Sequence, residues 1–461
     1  MHGAITFHDN EIGLQHLNRL QVPKIGDEEA ITHSTASRVI YFPEAYSFMK
    51  TTLYLTRNGL LEPLGQSQVM GYLSGLSQDY KITLNTFEKP KDMANKKAMA
   101  RAHADCHAHG IDWRPKSFHH RPRLLAPAWS ILEMFWFALQ AARRGDVQLI
   151  HARSYLPAAA AWAVNRITGT PFIFDMRALW PEELITAGRL HRGSIVHKVL
   201  TNLEKVCLRD AAAVVSLTDA AVGYLQDQYP IELQGQHIAV IPTCADLQRF
   251  KRSDKPPSER VYGCVGTVIS GWFLLDWLAA FFNTVAHKDP EAQFEVVTRD
   301  DAETVRATLD INGELGDQLS IFPSASEYVH EALQKQSTSI MFFTAGTSKL
   351  GSAPTRLGEA LGCSVPIVAN EGVGDVADII RRYNVGVIVE DASKKAMATA
   401  LNKLEALRSD PHLPSRCRTA AEEVFSLESG TEAYRKIYAE ILGRPDGPEA
   451  KPDVAGATNK R

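Results

Sequence analysis

The sequence predicts an α/β protein in which two doubly wound domains face each other across a cleft. Short hydrophobic runs alternate with helical stretches along most of the 461-residue chain, and this alternation is typical of parallel sheets covered by helices on both faces. Residues 244–260 are charged, contain two consecutive prolines and separate two blocks of similar size. We therefore expect a linker there, and a ligand site in the cleft, because doubly wound sheets bind ligands at the carboxyl ends of their strands.

The individual elements are predicted from local composition. The first strand is predicted at 51–56, because its β-branched and aromatic residues favour extended structure. Further strands are predicted on the same grounds at 81–87, 147–151, 171–175, 212–217, 238–242, 261–266, 293–298, 318–322, 338–343, 365–369 and 386–389. Helices are predicted between most of them, for example at 67–77, 128–143, 156–167 and 195–209.

Composition argues against several classes of protein. Hydrophobic residues make up 45% of the chain and charged residues 22%, as in ordinary globular proteins. The formal net charge of −3 gives no reason to expect a nucleic-acid partner. The six cysteines lie far apart without a Cys-x-x-Cys pair, which favours a reducing, cytoplasmic location over disulfides or a zinc site. No apolar run reaches the ~18 residues of a membrane span.

The segment from Ser352 to Asn370 predicts a site for a nucleotide-sugar. Pro354 and Thr355 are typical of a helix start, and Glu359 lies one turn inside that helix. Loop amides and the helix dipole suit a diphosphate, while a carboxylate suits the paired hydroxyls of a sugar. These are the two kinds of contact that a nucleotide-sugar requires.

This segment resembles the "PTKxxExxAxGxPV" run at the donor site of family 4 glycosyltransferases, particularly those of bacterial surface-polysaccharide biosynthesis. The resemblance implies the GT-B fold, in which two doubly wound Rossmann-like domains face a cleft. It also implies a ribose contact for Glu359 and donor contacts for the nearby Ser352, Thr355 and Arg356. The family helix carries another glutamate eight positions earlier, where this chain has Gly351.

The segment from Arg57 to Val69 is similar to the "DGLxDPLGQSQV" run of the same enzymes. In the family this loop lies beside the donor phosphates and the acceptor, which implies donor contacts for Gly65 and Gln66. The segment has no G-x-G-x-x-G pattern, so it argues against a dinucleotide-binding oxidoreductase.

The residues that follow the predicted strand at 147–151 resemble a family position that faces the reacting sugar. We expect His151 and Arg153 to be catalytic, because imidazole changes charge near neutral pH and guanidinium holds a phosphate or carboxylate as a fork. Ser154 is expected on the acceptor side of the cleft. The alternative for His151 is a neutral, hydrogen-bonded histidine at a strand end.

The segment from Phe174 to Glu183 resembles the family's "DxRGLWPEE" run. Asp175 ends a hydrophobic strand and is expected to pair with Arg177 at the mouth of the sheet. Asp175 is therefore a catalytic candidate, with a purely structural ion pair as the alternative. Arg177 and Glu182 are assigned to the acceptor side, and Glu183 is the alternative to Glu182.

Cations for the diphosphate must come from an unusual place in this chain. Most family members carry an arginine and a lysine in the loop that here contains Gly266 and Thr267. We therefore expect Lys349 and Arg356 to neutralise the leaving group, with Gly266 and Thr267 as donor contacts. The chain has no Asp-x-Asp triplet, so we expect no metal and no cofactor beside the donor substrate. Asp375, after a Gly-rich turn, is expected to cap the next helix.

The resemblance and the composition together predict six segments. They are an N-terminal extension at 1–48 (with Met49 as the alternative true start), an acceptor-side domain at 49–243, the linker at 244–260, a nucleotide-sugar-binding domain at 261–425, a helix at 426–443 that crosses back to the first domain, and a disordered tail at 444–461.

The sequence thus predicts a glycosyltransferase, metal-independent and, as the family implies, retaining. It would transfer a hexose-type sugar from a nucleoside diphosphate sugar to a polysaccharide or a lipid-linked oligosaccharide. A basic, aromatic helix at 124–142 would either lie on the inner membrane or pack on the first sheet. The alternative functions are a degenerate homologue that binds a sugar nucleotide or a partner, and a sugar-nucleotide epimerase of the same fold.

Overall fold

The structure, a computed structural model, describes residues 49–119, 121–122, 125–254 and 260–443. The predicted extension at 1–48 and the predicted tail at 444–461 lie outside the described residues, as do residues 255–259 of the predicted linker.

Two parallel sheets organise the described residues. The first has the strand order β3-β2-β1-β4-β5-β6-β7 and the second has the order β10-β9-β8-β11-β12-β13. Every pairing within them is parallel. The strands are β1 Thr51–Thr56, β2 Lys81–Glu88, β3 Asp112–Ser117, β4 Leu149–Arg153, β5 Phe172–Asp175, β6 Ala213–Ser216, β7 Ile238–Val240, β8 Val261–Val265, β9 Gln293–Val297, β10 Leu319–Phe322, β11 Thr338–Met341, β12 Ile367–Asn370 and β13 Gly386–Val389.

Helices connect these strands and cover both faces of each sheet. They are α1 Gly71–Leu76, α2 Pro90–Ala94, α3 Lys96–Ala108, α4 Leu125–Arg143, α5 Tyr155–Thr168, α6 Trp180–Thr186, α7 Ile195–Asp210, α8 Asp219–Gln228, α9 Leu275–Lys288, α10 Ala302–Leu309, α11 Val329–Lys335, α12 Thr347–Leu350, α13 Thr355–Gly362, α14 Val376–Tyr383, α15 Lys394–Arg408, α16 Leu413–Phe425 and α17 Leu427–Leu442. A π-helical segment, Gly65–Met70, leads directly into α1.

The central strands are buried on both faces, as parallel strands require. Leu53 and Leu55 of β1 pack in one core with Phe174, whereas the intervening Tyr54 packs in another with Leu73 and Tyr438. The second sheet likewise separates two hydrophobic cores. The predicted α/β class is therefore confirmed. Each strand order reverses direction once, between β1 and β4 and between β8 and β11, and a ligand crevice forms at such a switch point.

The edge strand β3 was not among the predicted strands. Its sequence, Asp-Trp-Arg-Pro-Lys-Ser, places charged residues and a proline where strand patterns normally show apolar ones. Only Trp113 is buried, and its indole N–H donates to the Thr86 hydroxyl at 2.8 Å. Pro115 and charges are tolerated because one side of an edge strand has no neighbour to pair with.

Helix α17 crosses back from the second sheet to the first. It packs on α1, where Gly71 and Gly75 leave room for the side chains of Leu427 and Thr431. Arg435 adds a charged contact, since its Nε donates to an Asp79 carboxylate oxygen at 2.7 Å. The last described helix is thus part of the first domain's packing.

Asp375 connects the two domains. Its carboxylate accepts hydrogen bonds from the backbone N–H groups of Asp219 at 2.8 Å and Ala220 at 2.9 Å. These are first-turn donors of α8 in the first domain, which have no partner within their own helix. The expectation that Asp375 caps the helix that follows it was wrong, because its side chain makes no capping bond to α14.

We predict that Asp375→Ala lowers the free energy of unfolding by about 1 kcal/mol, because two first-turn amides of α8 lose their acceptor. Urea unfolding followed by circular dichroism measures the change. Asp378→Ala is the matched control: that carboxylate is exposed, lies 3.7 Å from Arg381, and should change stability by less than about 0.5 kcal/mol. Equal losses in the two variants would contradict the role of Asp375.

Candidate active site

A cavity of about 500 Å³ lies between the two sheets. Its wall is formed by residues that follow the carboxyl ends of strands in both domains, which is where doubly wound folds bind ligands. The polar and aromatic residues that line it are Asn58, Arg153, Ser154, Arg177, Glu183, Thr243, Thr267, Trp272, Phe273, Ser339, Phe343, Lys349, Ser352, Thr355 and Arg356. Gly266 and Gly351 also contribute to the wall.

A buried charge cluster forms the wall of the first domain. Asp175, at the end of β5, is fully buried, with Oδ1 at 3.4 Å from Arg177 Nη1 and Oδ2 at 3.5 Å from Arg153 Nη1. The predicted pairing of Asp175 with Arg177 is therefore present. Tyr434 of α17 donates its hydroxyl to Asp175 Oδ2 at 3.2 Å, so the crossing helix also holds this carboxylate.

The cluster keeps Asp175 ionised. Burial alone would raise the pKa of Asp175, but the charge of Arg177, the hydrogen bond with His151 and the charge of Arg153 together hold that pKa well below its ordinary value. Burial alone would lower the pKa of Arg177, and the charge of Asp175 more than reverses this. One carboxylate is thus the counter-ion of two arginines.

His151 lies behind this wall rather than in it. Its Nδ1 is 2.8 Å from the Tyr438 hydroxyl and its Nε2 is 3.4 Å from Asp175 Oδ2. Its ring, 1% exposed, packs on Tyr54 with centroids 4.4 Å apart. Burial lowers the pKa of His151 although Asp175 opposes the shift, so the neutral form is favoured. In this structure His151 and Asp175 do not line the cavity, and they act on it through Arg153 and Arg177.

Two residues of the wall have unusual backbone conformations. Ser154 has φ of 78° and Arg177 has φ of 60°, both in the left-handed region that non-glycine residues rarely adopt. The amide of Ser154 donates to the Asp175 carbonyl at 2.7 Å, which ties the ends of β4 and β5 together. Such strain persists only where the surroundings enforce it, and it is typical of functional sites.

The second domain contributes a lysine that is already partnered. Lys349 is 7% exposed, and its Nζ lies 3.6 Å from the centroid of the Trp272 ring. Burial lowers the pKa of Lys349, while the charge of Glu183 from the first domain opposes that change. Burial likewise raises the pKa of Glu183, and Lys349 opposes it. The two charges therefore influence each other across the cleft, although they do not form a direct ion pair.

The start of α13 presents Thr355 and Arg356 to the cavity, with Ser352 in the preceding loop. Arg356 pairs with Glu359 one turn later in the helix. Glu359 is 5% exposed and does not line the cavity, and burial raises its pKa against the opposing charge of Arg356. Arg356 therefore lies between the cavity and the carboxylate that the family resemblance assigns to the ribose.

Three more predicted site residues do not line the cavity. Glu182 does not line the cavity: its carboxylate accepts from Arg192 at 2.6 Å and from the Tyr224 hydroxyl at 3.2 Å. The next residue, Glu183, takes the place in the wall, because successive residues of α6 point in different directions. Gln66 donates to the Leu60 carbonyl at 2.7 Å, and a Cβ at Gly65 would lie 2.2 Å from the Gly59 carbonyl oxygen. Both residues take part in the close packing of this loop.

Gly351 is explained by the approach of the first domain. A Cβ at this position would lie 2.9 Å from the backbone nitrogen of Leu179. Thr186 donates to the Ser348 hydroxyl at 3.1 Å, and the Thr218 hydroxyl donates to the Leu350 carbonyl at 2.5 Å. The loop before α6 thus occupies the space where the family glutamate would begin.

Two family models match this chain. The "Glycosyl transferase 4-like domain" matches residues 78–244 and the "Glycosyl transferases group 1" domain matches residues 275–424, together more than half of the chain. A search of curated proteins found no match.

Solved structures with the same fold include the following three. A glycosyltransferase from Rickettsia africae has a TM-score of 0.65 at 14% identity, covering 86% of this chain and 99% of its own. Sucrose-phosphate synthase from Thermosynechococcus elongatus has a TM-score of 0.62 at 14% identity, covering 85% and 99%. HepE from Anabaena, solved with UDP and glucose, has a TM-score of 0.61 at 14% identity, covering 85% and 99%.

The two facing sheets and the family matches define a GT-B glycosyltransferase. The chain belongs to family 4 of these enzymes, which confirms the resemblance, the fold and the enzyme class that the sequence predicted. Among the described residues, no three His, Cys, Asp or Glu side chains are grouped so that they could hold a metal ion. No described helix is long and apolar enough to span a bilayer.

We predict that stability falls as the pH is lowered from about 6.5 because of His151. The pKa of His151 is lowered in the folded state, so as the pH falls the unfolded chain takes up the proton first. Proton uptake stabilises the unfolded chain relative to the folded protein until the pH reaches the folded-state pKa. The slope contributed by one such group is at most about 1.4 kcal/mol per pH unit. Chemical unfolding of the wild type and of His151→Gln between pH 5 and 8 measures it.

The His151→Gln variant should lose this part of the slope, whereas the exposed His109→Gln should retain it. Parallel pH profiles for the wild type and His151→Gln would show that His151 is not held neutral.

Proposed function

We propose that this enzyme transfers a hexose-type sugar from a nucleoside diphosphate sugar. The observation that supports this is the charge of the interdomain cavity. Of the residues that line it, Arg153, Arg177, Lys349 and Arg356 are cationic and Glu183 is acidic. A site with this excess of positive charge favours an anionic ligand, and a diphosphate is the anion that an activated sugar carries.

The other contacts in the cavity suit the rest of such a donor. The start of α13 and the preceding loop offer backbone N–H groups and the Thr355 hydroxyl to the diphosphate. Trp272 and Phe273 offer apolar surface, while Glu359 behind Arg356 supplies the acid for the ribose once Arg356 turns towards the phosphates. HepE, which shares this fold, was solved with UDP and with UDP-glucose, and this supports the same class of donor here.

We propose that the reaction proceeds with retention and without a metal or another cofactor. When the bond between sugar and phosphate breaks, negative charge develops on the leaving diphosphate. Fixed cations stabilise such charge without reorganisation, and the presence of Arg153, Arg177 and Lys349 in the cavity wall supports this role for them. The acceptor oxygen forms its bond to the anomeric carbon on the face from which the phosphate leaves, and the leaving phosphate takes the proton of that hydroxyl, so this scheme needs neither a protein nucleophile nor a separate protein base.

We propose a saccharide or lipid-linked acceptor that the enzyme meets at the cytoplasmic face of the inner membrane. Helix α4 exposes Trp129, Leu132 and Trp136, whose spacing of three and four residues places them on one side of the helix. His119 and Arg121 precede this helix and line an apolar hollow together with Trp129. Aromatic residues beside an arginine suit the interface of an anionic bilayer. The opposite side of α4 packs on α5, so the packing alternative describes that side of the helix.

The two alternative functions fit this cavity less well. An epimerase requires several carboxylates around the sugar, whereas Glu183 is the one carboxylate among the residues that line the cavity in the described part of the chain. A degenerate homologue would be expected to lose cavity residues without replacement. Here Gly351 stands in place of the family glutamate, and the backbone of Leu179 packs closely against it. The residue at this position therefore has a role in packing.

We predict that one class of nucleotide-sugar stabilises the protein in a thermal-shift panel run with EDTA throughout. Ligand at 100 times its dissociation constant adds ~2.7 kcal/mol to the free energy of unfolding. Glu359→Ala should lose most of that stabilisation and release nucleoside diphosphate more slowly than the wild type. Glu422→Ala removes an exposed acid from α16 and is the matched control.

Wild-type binding that Glu359→Ala leaves unchanged would contradict the assignment of the ribose contact. Binding without release of nucleoside diphosphate in the presence of any acceptor would favour the degenerate homologue. Turnover that stops in EDTA and returns with Mg²⁺ would contradict metal independence.

We predict that the double variant Trp129→Ala, Trp136→Ala loses most of its binding to vesicles that contain anionic phospholipid. The two side chains are 53% and 51% exposed, and their removal takes away the apolar contact while the fold retains its core. Vesicle flotation measures the bound fraction. Ile311→Ala, which removes an apolar side chain 77% exposed in the second domain, should bind as the wild type does. Equal flotation of all three proteins would count against this membrane surface.

A further inference from the structure

Arg153 and Arg177 are unusual among the cations of the cavity, because they share a single counter-ion. Both guanidinium groups lie within 3.5 Å of Asp175, and their side chains are only 7% and 9% exposed. Asp175 is fully buried between them. This part of the wall therefore carries one positive charge in excess.

The other cations of the cavity are individually matched. Arg356 has its own carboxylate in Glu359. Lys349 is stacked on Trp272 and feels the charge of Glu183. The neutral form of His151 brings no compensating charge to the arginines, and the tyrosines around them, Tyr54 and Tyr434, are neutral because burial and Asp175 raise their pKa. The uncompensated charge belongs to the first domain.

The two arginines also have hydrogen-bonding groups to spare. Arg177 Nε and Nη2 are buried and have no hydrogen-bond partner, and Arg153 Nη1 is buried at the ion-pair distance of 3.5 Å from Asp175 Oδ2 without a hydrogen bond. An unpartnered buried donor on a charged group is unfavourable, and a ligand oxyanion that pairs with it removes that cost. Both residues line the cavity, and these buried nitrogens lie behind its surface.

We propose that Arg153 and Arg177 form the phosphate-binding site of this enzyme, on the first domain, in place of cations in the loop of the second domain. That loop offers Gly266 and Thr267 to the cavity and no cation. A pair of guanidinium groups presents several N–H donors in fixed directions, which suits the oxygens of a diphosphate. The ligand is a substrate phosphate, carried either by the nucleotide donor or by a lipid diphosphate acceptor.

This proposal rests on the proposed function, and it has a mechanical consequence. The start of α13 belongs to the second domain, whereas the arginines belong to the first. A diphosphate that touches both would hold the two domains together. The donor would then bind tightly to the closed cleft alone, which excludes water from the activated sugar.

The test is calorimetric binding of inorganic pyrophosphate without added metal. We expect Arg153→Gln and Arg177→Gln to weaken binding by roughly 10- to 100-fold, since each removes a charge-assisted contact. Arg153→Lys keeps the charge without the fork and should fall between them and the wild type. Asp175→Asn frees the arginines from their counter-ion and should bind pyrophosphate more tightly. Arg260→Gln, which loses an exposed pair with Glu291, is the control.

The Asp175→Asn arm separates binding from a structural role. A merely structural cluster would lose affinity in all of these variants, because each disturbs the wall, whereas an anion site gains affinity when its competing carboxylate is removed. Arg153→Lys keeps the test decisive if Arg177→Gln or Asp175→Asn does not fold. The proposal is overturned by unchanged pyrophosphate affinity in both arginine variants, or by a wild type that binds glucuronate and not pyrophosphate.

Further titrations identify the source of the phosphate. If UDP or GDP binding weakens with Arg153→Gln, the arginines hold the donor; if farnesyl diphosphate binding alone weakens, they hold the acceptor. A wild type that binds none of these three, yet binds pyrophosphate through the arginines, would support the anion site while contradicting the proposed function.

Discussion

The burial of one carboxylate between two arginines is the constraint on which the rest of the site depends. Asp175 ends β5, Arg153 ends β4, and the parallel pairing of these strands places the two residues side by side. Parallel strands must be covered on both faces, so this charge lies deep in the protein. An unpaired charge at that depth would be strongly destabilising. The surrounding side chains supply this carboxylate with charged and hydrogen-bonding partners.

Some of the groups that hydrogen-bond to this cluster come from a distant part of the chain. Tyr434 of α17 donates a hydrogen bond to Asp175, and the hydroxyl of Tyr438 is hydrogen-bonded to His151. Their hydroxyls are the polar tips of rings that otherwise fill the core beside Tyr54 and Leu73. The same side chains therefore contribute both to the packing of the first domain and to the electrostatics of the cavity wall.

Local sequence predicted the fold well because buried parallel strands are short apolar runs with helices between them. It did not predict β3, where an edge position relaxes the need for apolar residues. For the site, the family runs located the correct loops, but the direction of each side chain depends on tertiary contacts. Neighbouring Glu182 and Glu183 have the same chemistry, and only the packing of α6 on α12 decides which of them faces the cavity. Asp375 looked like a local cap, and its partner is 155 residues away in another domain.

The position of α17 has a consequence for folding during synthesis on the ribosome. The strands that carry His151 and Asp175 emerge early, but the two tyrosines that complete their hydrogen bonding lie near the end of the described chain. At a synthesis rate of ~5–20 residues per second, roughly ten to forty seconds pass between the end of the first domain and the synthesis of these tyrosines. During that interval its central charge has fewer partners and its α1 surface lacks the covering helix. The amino-terminal half should accordingly reach its native state after synthesis ends, together with the half that follows it.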